Sequence, residues 1–129
     1  METDVLYRQG EALRRQMFGD EAVDKRMNAF GEFGKPLQDI VNYAYGDVWS
    51  RTDLPNKTRS LVMLGMTAAS NRLQEFGVHV NGAIANGCTA EEIRDVLLLL
   101  ALYCGIPAAN DAHRIAFDVL KAHGMVTTP

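Results

Sequence analysis

The sequence predicts a single all-helical domain over residues 1–129. Apolar residues recur at the three- and four-residue spacing of an α-helix, whereas alternation of period two never persists for more than a few residues. Residues that start or stop helices divide the chain into segments of ordinary helix length. Apolar residues make up 47% of the 129 residues, which is enough for one domain to bury a core.

Seven helices are expected, with ends set by capping residues, prolines and glycines. Asp20 and Asn56 suit N-cap positions, and Pro36 and Pro107 suit first turns. Gly19, Gly87 and Gly105 suit C-terminal ends. The expected helices cover residues 5–18, 20–30, 36–44, 57–69, 73–86, 90–104 and 107–123.

Thr89 and Glu92 form a capping-box pattern at the start of the sixth helix, because Glu92 can reach back to the Thr89 backbone. Residues 45–54 are expected to form an irregular connection. The inward-facing residues should be Leu6, Leu13 and Met17 of the first helix, Leu37, Ile40, Val41 and Ala44 of the third, and Leu61, Leu64, Met66 and Ala68 of the fourth.

The composition argues against several classes of protein. The net charge is −3 without a run of like charges, so no nucleic-acid partner is expected. The longest apolar run, residues 96–104, is about half the length of a bilayer span, and no export signal is seen, so a cytoplasmic location is expected. Cys88 and Cys104 form no CxxC pair and are expected to be buried thiols. No structural-zinc spacing occurs, and neither a metal nor an organic cofactor is expected.

The sixth helix is apolar on all sides over residues 96–103. A monomer of this size has little depth in which to bury such a helix completely. Part of its surface is therefore expected to form a subunit interface in a homo-oligomer.

Glu75 and His79 are the strongest catalytic candidates. At positions i and i+4 of the fifth helix they share one face, and a neighbouring carboxylate raises the pKa of a histidine and orients its ring. Such a pair can transfer protons near neutral pH. The alternative is a salt-bridged pair on the protein surface.

Four further residues are candidates for substrate binding. Arg59 and Arg72 could each clamp a carboxylate, or could be exposed arginines that cover apolar surface with their stems. Trp49 could line a pocket or anchor a loop on the core. Tyr103 could also line a pocket, although a structural hydrogen bond from its hydroxyl group is the alternative.

Several stretches, in order, resemble the carboxymuconolactone decarboxylase family. The resemblance covers the chain from about Tyr7 to Leu120. It implies an all-helical fold of the alkylhydroperoxidase-D-like type, assembled as rings of subunits, often hexamers. The stretches are residues 45–49, 58–61, 86–87, 89–93 and 103–110, together with Glu75 and His79.

The resemblance also implies an activity on a small-molecule substrate. The expected reaction is a cofactor-free decarboxylation of 4-carboxymuconolactone to 3-oxoadipate enol-lactone, in protocatechuate degradation. Related redox proteins carry CxxC followed by histidine, and Glu75 here occupies the place of the second cysteine. Decarboxylases are expected to have a basic residue where this chain has Asn81. Action on another carboxylated lactone, or non-catalytic ligand binding by a ring-forming protein, are therefore alternatives.

Overall fold

The computed structural model describes residues 2–128, which form helices and connections without strands. The all-α prediction is confirmed. The helices are α1 (Thr3–Phe18), α2 (Asp20–Asn28), α3 (Gly31–Ala44), a short π-helical segment (Tyr45–Trp49), α4 (Asn56–Ala69), α5 (Leu73–Ala85), α6 (Ala90–Cys104) and α7 (Ile106–Ala122).

The chain divides into two compact units, an N-terminal unit that ends at Pro55 and a C-terminal unit that begins at Asn56. The single domain expected from the sequence stays a prediction. None of the helices within residues 2–128 combines the length and apolar character that a membrane crossing requires.

In the N-terminal unit, α1 packs very closely on α3 and the π-helical segment. A β-carbon at Gly10 would overlap the backbone carbonyl of Asn42, and one at Gly46 would overlap the carbonyl of Leu6. Both positions therefore require glycine because a backbone lies where a side chain would be.

The same contact buries a cation. Arg14 is 3% exposed and donates hydrogen bonds to Asn42 Oδ1 at 2.8 Å and to Gln38 Oε1 at 2.9 Å. Burial lowers the pKa of the Arg14 guanidinium below its usual value. Because both acceptors are neutral amides, the charge is stabilised by hydrogen bonds from α1 to α3 rather than by an ion pair.

The prediction for the third helix is wrong in its start and in its buried face. The helix begins at Gly31, so Pro36 lies inside it. Its buried residues are Gly34 and Asn42, because the packing on α1 uses a small residue and a polar one. Of the residues expected to face inward, Leu37 and Ile40 are 53% and 62% exposed, Ala44 is exposed and Val41 is partly buried.

Three smaller expectations also need correction in the N-terminal unit. Gly19, not Asp20, is the N-cap of α2. That helix ends at Asn28, two residues before Phe30. The expected irregular connection begins instead with the π-helical segment, which buries Trp49 beside Tyr45.

In the C-terminal unit, α4 to α7 surround one apolar core. The ends of these helices largely follow the sequence signals. Gly87 and Gly105 have φ angles of 92° and 102°, which favour glycine, and Pro107 lies in the first turn of α7. Met66 is 60% exposed, so its predicted place on the inner face of α4 is wrong. The core includes Leu64, Phe76, Val80, Ile93, Leu97, Ala112 and Ala116.

Helix α6 is buried on one side only, through Ile93, Leu97 and Leu100. Its other side is open in this chain, so the expectation of burial on every side is not met within one subunit. We call this surface the outer face of α6; it consists of Leu98, Leu99, Leu102, Tyr103 and, at the start of α7, Ile106.

The capping box of α6 has the predicted geometry. Thr89 Oγ1 accepts from the Glu92 backbone N–H at 3.1 Å, and Glu92 Oε1 accepts from the Thr89 N–H at 2.9 Å. That second hydrogen bond, with Lys57 Nζ at 3.1 Å, lowers the pKa of Glu92 below its usual 4.5. A carboxyl group whose pKa is lowered on folding stabilises the fold above its unfolded pKa, and this stabilisation is lost as the pH falls through the folded value.

We therefore expect Glu92→Gln to lower the free energy of unfolding at pH 7 and to have a smaller effect near pH 3. Thr89→Ala should cost about 0.5–2 kcal/mol, the usual effect of removing an N-cap side chain. Urea unfolding at the two pH values measures both effects, with Glu91→Gln on the exposed side of the same turn as the control. An equal loss for Glu92→Gln at pH 7 and pH 3 would contradict the assignment.

Candidate active site

Two of the predicted residues, Arg72 and Glu75, lie at the start of α5. Asn71 has a φ of 59°, in the left-handed region that asparagine tolerates, and this turn joins α4 to α5. Arg72 follows as the N-cap of α5, with its backbone N–H bonded to the Thr67 carbonyl at 2.8 Å. The side chains of Arg72 and Glu75 are exposed and line one open depression on the surface. The structure thus places a cation and a carboxylate at one opening.

His79 lies one helical turn after Glu75 on the same face of α5. Glu75 is exposed, whereas His79 is only 5% exposed. Because the His79 imidazole is inside the protein, the alternative of a salt-bridged pair on the surface does not apply to it. The two residues therefore have different environments on one face of α5.

Arg59 lies in the first turns of α4 and is partly buried. Its Nη1 donates to Asn56 Oδ1 at 3.2 Å, which holds the side chain near the start of its own helix. Its role as a carboxylate clamp stays a prediction.

Trp49 and Tyr103 have opposite environments. Trp49, in the N-terminal unit, is 7% exposed and stacks on Tyr45 with ring centroids 5.5 Å apart, which fits the anchoring alternative. Tyr103 is 79% exposed on the outer face of α6, and within residues 2–128 its hydroxyl makes no hydrogen bond. The structural hydrogen bond expected for Tyr103 is therefore wrong for this chain, and substrate binding by either ring stays a prediction.

Asn81 has a partner that the sequence did not indicate. Its Oδ1 lies 2.9 Å from His123 Nε2, and its Nδ2 donates to the Gly77 carbonyl at 3.3 Å. An imidazole from the end of α7 thus reaches the position where a basic residue was expected. No local sequence signal links two residues 42 positions apart.

The two cysteines differ in environment. Cys88 is buried, and this burial raises the pKa of its thiol, so the reactive thiolate is disfavoured at neutral pH. Cys104 is exposed, so the expectation that both thiols are buried is wrong; it lies in the last turn of α6, beside the outer face. Across residues 2–128, no three His, Cys, Asp or Glu side chains cluster closely enough to hold a metal ion.

Comparison with known proteins gives consistent matches. The model of the carboxymuconolactone decarboxylase family matches residues 36–118. The chain is 33% identical over 126 residues to the 4-carboxymuconolactone decarboxylase of Acinetobacter baylyi, covering 97% of this chain and 94% of that protein. It is 37% identical over 108 residues to the nitrosuccinic acid decarboxylase of Metarhizium robertsii, covering 83% of this chain and 76% of the relative.

Proposed function

The chain belongs to the carboxymuconolactone decarboxylase family, and on that basis we propose that it removes carbon dioxide from 4-carboxymuconolactone to form 3-oxoadipate enol-lactone. The observation that carries the proposal is the match along 94% of the Acinetobacter enzyme. The location of Arg72 and Glu75 beside one surface depression, with the buried His79 one helical turn after Glu75, supports it.

The proposed reaction needs no organic cofactor as an electron sink. The bond between the ring carbon and its carboxylate breaks, carbon dioxide leaves, and the electron pair delocalises through the unsaturated lactone to the carbonyl oxygen. A proton is then added to carbon. The protein must bind the carboxylates, stabilise the developing charge on oxygen and deliver that proton.

We assign carboxylate binding and proton delivery mainly to residues at the start of α5. Arg72 binds a substrate carboxylate at the opening, with Arg59 as the second candidate clamp. His79 donates the proton to carbon, and Glu75 orients the imidazole and supports its protonated form.

The clamp assignment predicts that Arg72→Lys binds substrate poorly, because a planar two-pronged donor is replaced by a point charge. We expect KM to rise by an amount equivalent to about 1.5–3 kcal/mol, the range for hydrogen bonds to charged groups. Steady-state kinetics on Arg72→Lys and Arg59→Lys compare the two candidates, with Arg114→Lys, an exposed arginine paired with Asp111, as the control. A normal KM in both variants would remove arginine clamping from the mechanism.

We also propose that the chain acts as a closed homo-oligomer, a trimer or a hexamer, joined in part through the outer face of α6. Five large apolar side chains exposed on one surface support this proposal, since monomeric proteins seldom expose such patches. Light scattering at micromolar concentration should give a mass that is a multiple of 14.2 kDa. Leu102→Glu should lower it, while Val62→Glu on the exposed side of α4 should not; a wild-type monomer would contradict the proposal.

Nitrosuccinate is the second candidate substrate, supported by the match to the Metarhizium decarboxylase. A nitro group, like an unsaturated lactone, accepts the electron pair that departing carbon dioxide leaves behind. Measuring kcat/KM on both compounds with one preparation distinguishes them. We expect the lactone to be preferred; a higher value for nitrosuccinate would transfer the assignment to that class of substrate.

A non-catalytic ligand-binding role is the alternative of a different class. Asn81 favours it, because an amide replaces the expected basic residue and is already bonded to His123. Under this alternative the lactone binds and is recovered unchanged. Carbon dioxide release with multiple turnovers excludes it.

A further inference from the structure

The C-terminal unit contains a cavity of about 160 Å³ between α6 and α7, away from the residues assigned to catalysis. Its lining comes from one face of each helix and from the tail after α7, and no residue of α5 contributes to it. Ile93 and Leu97 on α6, with Ala116 and Leu120 on α7, are buried and form an apolar floor. Ala116 is the smallest of these four side chains.

Two polar side chains, those of Arg94 and His113, line the same cavity. Arg94 and His113 are both exposed, so they stand at its opening. Within residues 2–128, the Arg94 guanidinium has neither an ion-pair nor a hydrogen-bond partner. The Nδ1 of His113 lies 2.7 Å from the Ala109 carbonyl oxygen, which can only accept, so Nδ1 donates there, and in the neutral ring Nε2 is an acceptor that does not bond an anion.

The size of the cavity restricts the ligand. An engineered protein cavity of about 150 Å³ lined by apolar side chains holds one benzene molecule. A volume of about 160 Å³ therefore fits one six-membered ring or a branched chain of similar bulk. A ring that enters the apolar floor leaves its substituent at the opening, where the unpaired guanidinium favours an anion.

We propose that this cavity is a second binding site, for a small carboxylate that carries a single ring, with Arg94 binding the carboxylate and the apolar floor enclosing the ring. The proposal depends on the cavity and on the Arg94 guanidinium at its opening. It does not depend on the decarboxylase activity, because none of the residues assigned to catalysis lines the cavity.

Benzoate is the probe for this site, and benzyl alcohol is its uncharged counterpart. Calorimetry on the assembled wild-type protein should show benzoate binding at millimolar or lower concentration and weaker binding of benzyl alcohol. Arg94→Gln should weaken the binding of benzoate by roughly tenfold, which corresponds to about 1.4 kcal/mol. It should leave benzyl alcohol unchanged, because the alcohol has no charge for the guanidinium to bind.

Two controls locate the effect. Arg114→Gln removes the same charge from an exposed position of α7 that does not line the cavity, and it should bind benzoate normally. Ala116→Leu fills the cavity and should abolish binding of both probes. If Ala116→Leu does not fold, amide NMR shifts of Ala90, Leu97 and Leu120 on titration of the wild type take its place.

The proposal fails if benzoate does not bind the folded wild-type protein at millimolar or lower concentration. It also fails if Arg94→Gln and Arg114→Gln weaken benzoate equally, since the effect would then be one of net charge. If titration with benzoate shifts only the amide NMR signals of residues 71–79, benzoate binds at the proposed active site instead, which would overturn the proposal. Normal benzoate binding by His79→Gln would separate this site from the catalytic one.

Discussion

His79→Gln is expected to lower turnover by roughly two to four orders of magnitude, the usual contribution of general acid catalysis. Glutamine keeps hydrogen-bonding capacity in the buried position but cannot donate a titrating proton to carbon. Glu75→Gln should have a smaller effect, because it removes orientation and charge support while the proton donor remains. The two losses should be far from additive, since the residues act as one unit.

The measurement pairs turnover with thermal stability for both single variants and the double variant. His123→Gln is the matched control, because this exposed imidazole bonds to Asn81 and has no assigned part in proton transfer. A purely structural role for His79 predicts lower stability with near-normal turnover in the molecules that stay folded. Full activity in a well-folded His79→Gln protein would end the acid–base proposal.

Gly10→Ala is expected to destabilise the N-terminal unit by about 3 kcal/mol or more, at or beyond the upper range for overpacking. The added methyl group would overlap the Asn42 carbonyl, and a helix backbone cannot move aside as a side chain can. The shift should also disturb the hydrogen bond from Arg14 to Asn42, leaving a buried cation with fewer partners.

Trp49 is the single tryptophan and is buried in this unit, so its fluorescence reports the unfolding of that part of the chain. Gly65→Ala in the C-terminal unit, followed by far-ultraviolet circular dichroism, is the control, because a β-carbon there would meet nothing closer than Val96 Cγ1 at 4.0 Å. Alanine in a helix interior is more favourable than glycine by about 0.5–1 kcal/mol, so the control should be neutral or stabilising. A wild-type midpoint for Gly10→Ala would show that the two helices are less closely packed than described.

The helices of the C-terminal unit were predictable because local signals mark their ends. The Thr89–Glu92 capping box and Gly105 act within a few residues of the chain, and each has the expected geometry. Helix α3 was not predictable in the same way. Its buried face is decided by a distant contact with Arg14, so a polar Asn42 is buried while Leu37 is exposed.

The sequence indicated which face of α5 Glu75 and His79 share, but not the environment of either side chain. Helical spacing places Glu75 and His79 on one face. Glu75 is exposed and His79 is buried because of the way α5 packs on its neighbours. The spacing of the two residues in the sequence does not show this packing. The bond between Asn81 and His123, and the cavity beside Ala116, likewise depend on residues that meet only after folding.

The most direct test of the central claim is carbon dioxide release from 4-carboxymuconolactone by the purified protein. The protein is first treated with a metal chelator, and the loss of the lactone is followed by ultraviolet absorbance in parallel. We expect one carbon dioxide for each lactone consumed, over many turnovers, with chelated and untreated protein equally active. Recovery of the lactone unchanged from a folded, assembled protein would contradict the account, and activity that disappears on chelation would contradict its cofactor-free mechanism.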